Sequence, residues 1–401
     1  SANKEKAKVA LMLVPHEGDW RPGLAFLLNE YPEYFYPAVE NGEISEGLFY
    51  LSFPFKRETN VSEMRNRNVK WIELTGYFPF YGLYAPEVAE WGIILDSDEV
   101  TISNWEMGAG EKKNSHEMMK NIINLWQKYG IHVYQYFQSF EAWHQFAGKY
   151  FADDIARDAE GHPIRAWPYT NLMNPDPQNP WGKHIIGQAK EILDKYPGID
   201  GIFYDRMDYK DFDFAHSDGV TMRNNKPAYM LGFAQERINE ILFDLLHRNK
   251  KSIWGNGPTS IEVCKNLDGI MAERKLSYLY KIQYLGCARP IIFLPYDTLP
   301  DDTEDKLKNA LLCGAFPSTT YGGEECRVLE EKYESLFELM QRKKWLLTAK
   351  SLEIIPGNRC NIFRTPEGDY VVIVVNLNKS QLIPHPFEYK IPIAVNVPDA
   401  D

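Results

Sequence analysis

The chain has 401 residues, 44% of them hydrophobic and 25% charged, which is enough for a large soluble α/β domain with appended structure. Its formal net charge of −12 disfavours nucleic acid or an anionic membrane as the main partner. No run of about 18 apolar residues occurs, so the sequence predicts no membrane-spanning segment.

The start of the chain leaves the compartment open. Residues 1–8 are polar and lack the apolar core of a signal peptide. A secreted or periplasmic location is favoured if Ser1 is a processed end. Two segments then compete to be the first strand, residues 9–14 and residues 48–53. Residues 9–14 are favoured because a helical run, residues 22–29, follows them directly.

The next two strands are predicted at residues 69–74 and 131–137, the second preceded by an amphipathic helix at residues 116–129. Long segments rich in aromatic residues, Gly and Pro follow each strand, at residues 76–115 and 139–175. Loops of this length usually carry lids or binding surfaces. We therefore expect both to lie at the functional rim.

From residue 175 onward, helices and short apolar strands alternate. Strands are predicted at residues 198–205, 252–257, 267–274, 289–295 and 314–321, in alternation with helices. This order predicts a parallel sheet, closed most economically as a (β/α)8 TIM barrel spanning residues 1–349. After residue 350 the pattern changes to a period of two, which predicts a small C-terminal antiparallel β domain, residues 350–401. Its strands are expected at residues 358–365, 370–375 and 387–395.

Two acidic residues stand where predicted strands end. Asp205 follows the fourth strand and Glu273 ends the sixth, so both are expected at the carboxyl rim of the sheet, where barrels carry their catalytic residues. Glycoside hydrolysis needs two carboxyl groups with different roles. The alternative is that each acid caps the following helix or pairs with an arginine.

The segments around these acids resemble a known family. Residues 200–205 (Asp-Gly-Ile-Phe-Tyr-Asp), 254–257 (Trp-Gly-Asn-Gly) and 268–273 (Asp-Gly-Ile-Met-Ala-Glu) are similar to the core of the endo-α-1,4-polygalactosaminidase family and of the broader α-galactosidase-like barrel clan. The resemblance covers residues 175–323. It implies a retaining glycosidase with Asp205 as nucleophile and Glu273 as general acid/base. The Phe203-Tyr204-Asp205 strand end departs from the Lys-Trp-Asp pattern of α-galactosidases, so galactose is not implied.

Further polar residues near the predicted strand ends are candidate substrate contacts. Arg206 and Arg274 each directly follow one of these two acids, and could bind an anionic sugar or only balance neighbouring carboxylates. The other candidates are hydroxyl-binding or aromatic side chains near the rim: Asp208, Asn256, Tyr136 and Glu73.

Other chemistries find no support in the sequence. The nine histidines show no metal-ligand spacing and the five cysteines form no CxxC motif, so neither a metal nor another cofactor is predicted. We therefore predict a glycoside hydrolase acting on an α-linked oligosaccharide or polysaccharide. A non-catalytic carbohydrate-binding barrel and a metal-assisted lyase or isomerase remain as alternatives. The sugar, the linkage and the oligomeric state are not determined.

Overall fold

The computed structural model describes residues 11–38, 49–54, 61–92, 113–273, 275–295, 298–319, 322–349, 351–353, 358–376 and 394–395. Its centre is one eight-stranded sheet in which every neighbouring pair of strands is parallel and the strands follow chain order. The strands are β1 (Phe49–Pro54), β2 (Val69–Thr75), β3 (His132–Phe137), β4 (Gly201–Tyr204), β5 (Ser252–Asn256), β6 (Gly269–Glu273), β7 (Ile291–Leu294) and β8 (Phe316–Pro317).

The preference for residues 9–14 as the first strand was wrong. The first strand is β1, which pairs with β2 from Phe49 opposite Val69 to Pro54 opposite Thr75. Residues 11–16 have no regular structure, and residues 9 and 10 lie outside the described residues. The helix Arg21–Glu30 makes no β–α unit with them. It packs through Leu28 against Phe35 and Leu347 instead, so its apolar face belongs to a separate small cluster.

Helices connect the strands as the sequence predicted, although several of their ends differ by a few residues. Proline begins two of them, Pro180–Lys195 and Pro300–Cys313, where a missing amide proton costs nothing. The described helices are Arg21–Glu30, Val61–Asn66, His116–Lys128, His144–Tyr150, Pro180–Lys195, Leu231–Arg248, Ile261–Lys265, Leu276–Gly286, Pro300–Cys313 and Glu324–Leu339. None of the described helices is long and apolar enough to cross a membrane.

The sheet is strongly curled. The rings of Trp71 in β2 and Trp254 in β5 lie 4.6 Å apart between centroids, although two strands separate β2 from β5 in the sheet. In a flat sheet the two strands would stand about 14 Å apart. The outer strands also approach each other, since β1 and β8 have Cα atoms within 8 Å. The core therefore lies inside the curve of the sheet, filled by large aromatic side chains.

Glycines at the starts of two strands make room for these rings. A Cβ on Gly269 would collide with the Trp254 ring, and a Cβ on Gly201 would collide with the carbonyl oxygen of Ser252 and the ring of Tyr134. Packing therefore requires glycine at both positions, in addition to the turns that precede the two strands.

The long segment after β3 is folded rather than loop-like. Residues 139–175 contain three short antiparallel strands, Glu141–Trp143, Arg165–Trp167 and Thr170–Leu172, and the helix His144–Tyr150. We call residues 139–175 the rim insertion. Of residues 76–115, the structure describes 76–92 and 113–115, where the strands Glu90–Gly92 and Lys113–Ser115 pair.

The antiparallel pattern near the C-terminus is confirmed for one hairpin. Strands Asn358–Arg364 and Tyr370–Asn376 pair through all seven residues, and Lys344–Trp345 adds a third strand to their sheet. The hairpin packs against helix Pro300–Cys313 outside the parallel sheet. The predicted strand at residues 387–395 lies outside the described residues, except for Ala394–Val395, which pairs with Leu352–Glu353.

Candidate active site

Asp205 and Glu273 meet at the carboxyl ends of β4 and β6, where they share one hydrogen-bond donor. The side-chain nitrogen Nδ2 of Asn256, at the end of β5, lies 2.8 Å from Oδ1 of Asp205 and 2.9 Å from Oε2 of Glu273. The two accepting oxygens are therefore less than about 6 Å apart, close enough for both carboxyl groups to contact the same bound molecule. Parallel register explains the meeting, because β5 lies between β4 and β6 in the sheet.

The backbone turns sharply directly after Asp205. Arg206 has a φ of 58°, a left-handed conformation that non-glycine residues rarely adopt. The amide of Asp205 donates to the carbonyl of Phe137, and the amide of Met207 donates to the carbonyl of Asn256, at 2.8 and 2.9 Å. These bonds fix the turn between its neighbours β3 and β5.

Tyr136 contacts the second oxygen of Asp205. Its hydroxyl donates to Oδ2 of Asp205 at 2.9 Å, and its own carbonyl accepts from the hydroxyl of the buried Tyr77 at 2.9 Å. Both oxygens of Asp205 therefore accept a hydrogen bond from a neighbouring strand. This arrangement fixes the plane of the carboxyl group.

Burial raises the pKa of Asp205 above its ordinary value, and the nearby Glu273 charge raises it further. The hydrogen bonds from Asn256 and Tyr136 and the charge of Arg206 act in the opposite direction and lower that pKa. The site thus combines a desolvated carboxyl group with donors that stabilise its ionised form.

Arg206 and Asp208 lie next to Asp205, but they bind each other. The Nε of Arg206 donates to Oδ1 of Asp208 at 3.0 Å, and its Nη1 lies 3.5 Å from Oε1 of Glu141. The guanidinium also lies over the Tyr209 ring, 4.3 Å from the ring centroid. Two carboxylates therefore engage Arg206, which favours its charge-balancing role over contact with an anionic sugar.

Glu141 and Tyr209 are site residues that the sequence analysis missed. Glu141 opens the first strand of the rim insertion, is 1% exposed, and accepts a 2.6 Å hydrogen bond from the Tyr209 hydroxyl. Burial raises the pKa of Glu141 to about 7, with a further contribution from the charge of Asp205. The signal that could have found it is an acid four residues after β3, inside a segment already expected at the rim.

The two remaining candidates are placed differently. Glu73 is buried within β2, and its register partner in β3 is Tyr134. The register partner of Tyr134 in β4 is Gly201, four residues before Asp205. The structure thus aligns Glu73 with the start of β4, and its contact with substrate stays a prediction. Arg274 lies outside the described residues, so its role also stays a prediction.

The site contains carboxyl, amide, phenol and guanidinium groups. Among the residues that the structure describes, no group of three or more His, Cys, Asp or Glu side chains is arranged to hold a metal ion. The five cysteines form no disulfide; Cys264, Cys313 and Cys326 are buried, and Cys287 and Cys360 are partly exposed.

Solved structures share this fold. The chain is similar to the α-N-acetylgalactosaminidase NagBb from Bifidobacterium bifidum, with a TM-score of 0.54 and 13% identity over 88% of this chain and 61% of that enzyme. It is also similar to the noncanonic maltogenic α-amylase AmyB from Thermotoga neapolitana, with a TM-score of 0.52 and 10% identity over 84% of this chain and 86% of the other.

The chain thus spans less than two thirds of the length of the bifidobacterial enzyme. No protein-family model matches the sequence, and no curated protein matches it either. At these identities the likeness establishes the fold, a curled parallel α/β sheet that glycoside hydrolases also use. It does not assign the chain to the polygalactosaminidase family.

Proposed function

We propose that this protein is a retaining glycoside hydrolase whose curled sheet closes as a (β/α)8 barrel, with residues 1–349 as the catalytic unit and residues 350–401 as an appended β domain. The observation that carries the proposal is the donor shared by Asp205 and Glu273 through Asn256. This close approach supports a double displacement, in which one carboxyl group is the nucleophile and the other is the acid and base.

In the first step, an oxygen of ionised Asp205 attacks the anomeric carbon, the bond to the leaving oxygen breaks, and Glu273 transfers its proton to that oxygen. In the second step, Glu273 removes a proton from water. The resulting nucleophile attacks the anomeric carbon, which breaks the bond to Asp205 and leaves Glu273 protonated for the next cycle. Tyr136 and Asn256 keep Asp205 oriented through both steps.

The charges around the pair support a neutral substrate. Arg206 is the cation beside Asp205, and Asp208 and Glu141 already engage it. An added carboxylate or sulfate on the sugar would meet the carboxyl groups of Asp205, Glu273 and Asp208, while the guanidinium of Arg206 is already paired. A neutral, α-linked oligosaccharide or polysaccharide is therefore the proposed substrate class.

The test is a screen for new reducing ends across a panel of neutral and charged glycans, with wild type, Asp205→Asn and Glu273→Gln. We expect at least one neutral α-glycan to be cleaved by wild type, and Asp205→Asn to lower turnover by at least about 1,000-fold, since an amide cannot attack as a carboxylate does. Proton NMR of the first-formed anomer should show retention of configuration.

The competing function is a carbohydrate-binding barrel without catalysis. It would bind a glycan of the panel, detected by calorimetry, without releasing reducing ends. Asp205→Asn would then alter affinity alone. Turnover that is lost in the presence of EDTA would instead favour a metal-assisted reaction.

A further inference from the structure

Besides the backbone bond from Met207 to Asn256, side-chain contacts join the turn after Asp205 to a distant part of the chain. The turn, residues 206–209, has an unfavourable backbone at Arg206, and strained residues of this kind persist only where their surroundings hold them. Asp208 and Tyr209, which contact the Arg206 side chain, belong to the turn itself. Glu141 comes from the rim insertion, 65 residues earlier in the chain.

Glu141 is itself rigidly placed. The side-chain oxygen of Gln138 accepts hydrogen bonds from the amides of Phe140 and Glu141, at 3.0 and 2.9 Å. Glu141 also pairs with Leu172 in the antiparallel sheet of the rim insertion. One of its oxygens, Oε1, contacts both the Tyr209 hydroxyl and the Arg206 guanidinium. A fixed carboxyl group thus bonds to both ends of the turn.

Glu141 is held differently from Asp200, a partly exposed carboxylate directly before β4. Both oxygens of Asp200 accept hydrogen bonds, from His132 and from Gln127 and the amide of Val133, and these bonds lower the Asp200 pKa. In Glu141 the second oxygen, Oε2, is buried without a hydrogen-bond partner among the described residues. Leaving a buried acceptor unpaired lowers the stability of the fold.

We propose that Glu141 is a positioning residue that holds the turn at residues 206–209, and through it the carboxyl group of Asp205, in the geometry for attack. The inference rests on the proposed glycosidase function. Because a displacement of about 1 Å at a reacting group can cost 100-fold in rate, a tie to the residue directly after the nucleophile has a large effect on turnover and little on substrate affinity.

The strength of the contact between Glu141 and the turn at residues 206–209 varies with pH. The groups that face Glu141 are Asp205, Arg206, Asp208 and Tyr209 after β4, Tyr136 on β3 and Tyr84 after β2. Ionised Glu141 attracts Arg206, whereas the protonated form keeps only its hydrogen bonds. The contribution of Glu141 to turnover therefore rises as it loses its proton, with the midpoint near its pKa of about 7.

The first arm of the test needs no substrate. Hydrogen exchange is measured by mass spectrometry on peptides spanning residues 205–211 in wild type, Glu141→Gln, Glu141→Ala and the control Glu160→Gln, an exposed acid of the same insertion. We expect exchange in this segment to rise at least tenfold in Glu141→Ala, less in Glu141→Gln, and not in the control. Unchanged exchange in both Glu141 variants overturns the proposal.

The second arm uses the member of a panel of 2,4-dinitrophenyl α-glycosides (galactoside, N-acetylgalactosaminide, glucoside, mannoside) that wild type hydrolyses fastest. Rates are normalised to active sites counted by burst titration. We expect Glu141→Gln to lower kcat at least tenfold at pH 8 with KM changed less than threefold, and the wild-type to variant ratio of kcat to fall toward about 3 at pH 5.5. Glu141→Asp should recover part of the loss.

A ratio that stays within twofold of 1 at every pH overturns the proposal, because Glu141 would then be a structural residue only. If wild type cleaves neither these glycosides nor any glycan of the reducing-end panel while the exchange rates change as expected, the proposed function fails and the contact of Glu141 with the turn stands. The two failures are therefore distinguishable.

Discussion

The hydroxyl of Tyr136 donates to Oδ2 of Asp205 at 2.9 Å, across the neighbouring strands β3 and β4. This bond stabilises the ionised carboxyl group and lowers its pKa, against the larger opposing effect of burial. The balance of these effects determines the pH at which Asp205 can act as a nucleophile, and it can be shifted one contact at a time.

Tyr136→Phe should raise the pKa of Asp205, because it removes a donor to the ionised form. The acidic limb of the pH profile of kcat/KM should move upward by roughly one unit, the equivalent of one modest hydrogen bond. Asn256→Ala should shift it in the same direction. Tyr333→Phe, which removes a phenol donating to Glu304 elsewhere in the molecule, is the control and should leave the limb unchanged. A downward shift in Tyr136→Phe would contradict this assignment.

Glu273→Gln should affect substrates according to their leaving groups. A protonated carboxyl group is needed to assist a poor leaving group but not an activated one. We expect a loss of at least about 100-fold on an unactivated oligosaccharide and less than about tenfold on a 2,4-dinitrophenyl glycoside, in the range of general acid catalysis. The measurement is kcat/KM for the two substrates side by side. Equal losses on both would argue against Glu273 as the acid.

Glu141 should make the protein less stable as pH rises. Its pKa in the folded state is about 7, above the ordinary value of 4.5, so the folded state holds the proton more tightly than the unfolded state. The stability from this group is present below pH 4.5 and is lost as pH rises through 7. Relative to wild type, Glu141→Gln should therefore gain up to about 3 kcal/mol in free energy of unfolding between pH 5 and pH 8.

Urea unfolding of both proteins at the two pH values measures this difference. Glu160→Gln, at an exposed position, is the control. Its free energy of unfolding should differ little from that of wild type at either pH. A difference that does not vary with pH would mean that Glu141 ionises normally. Glu141→Gln is thus expected to gain stability relative to wild type as pH rises, while it loses turnover. This trade-off is typical of functional sites.

Two glycines should respond to alanine in opposite directions. Gly201→Ala places a Cβ against the backbone carbonyl of Ser252, so we expect at least about 2–3 kcal/mol of destabilisation and local distortion before Asp205. Gly187, inside helix Pro180–Lys195, has no atom within 4 Å of an added Cβ, so Gly187→Ala should stabilise by about 0.5–1 kcal/mol. Thermal unfolding of the two variants measures these changes. Equal shifts in melting temperature would contradict the close packing of Gly201 against Ser252.

The sequence by itself determined which residues end the strands. Short apolar runs bounded by glycine and by an acid identify β4 and β6, and parallel strands place all their carboxyl ends at one rim. That reasoning brought Asp205 and Glu273 to the same edge without any coordinates. It was wrong about the first strand, because a short apolar run at residues 9–14 and the run that forms β1 have the same local pattern. Only pairing with β2 distinguishes them.

Only the tertiary structure decided how the side chains at the rim are connected. The order and register of the strands bring Asn256 between the two acids, and the folding of the rim insertion brings Glu141 to Arg206 and Tyr209. Asn256 lies 51 residues from Asp205 along the chain, and Glu141 lies 65 residues from Arg206. The periodicity of apolar residues shows which face of its own helix or strand a residue occupies. Contacts between distant segments depend on packing, which no local pattern contains.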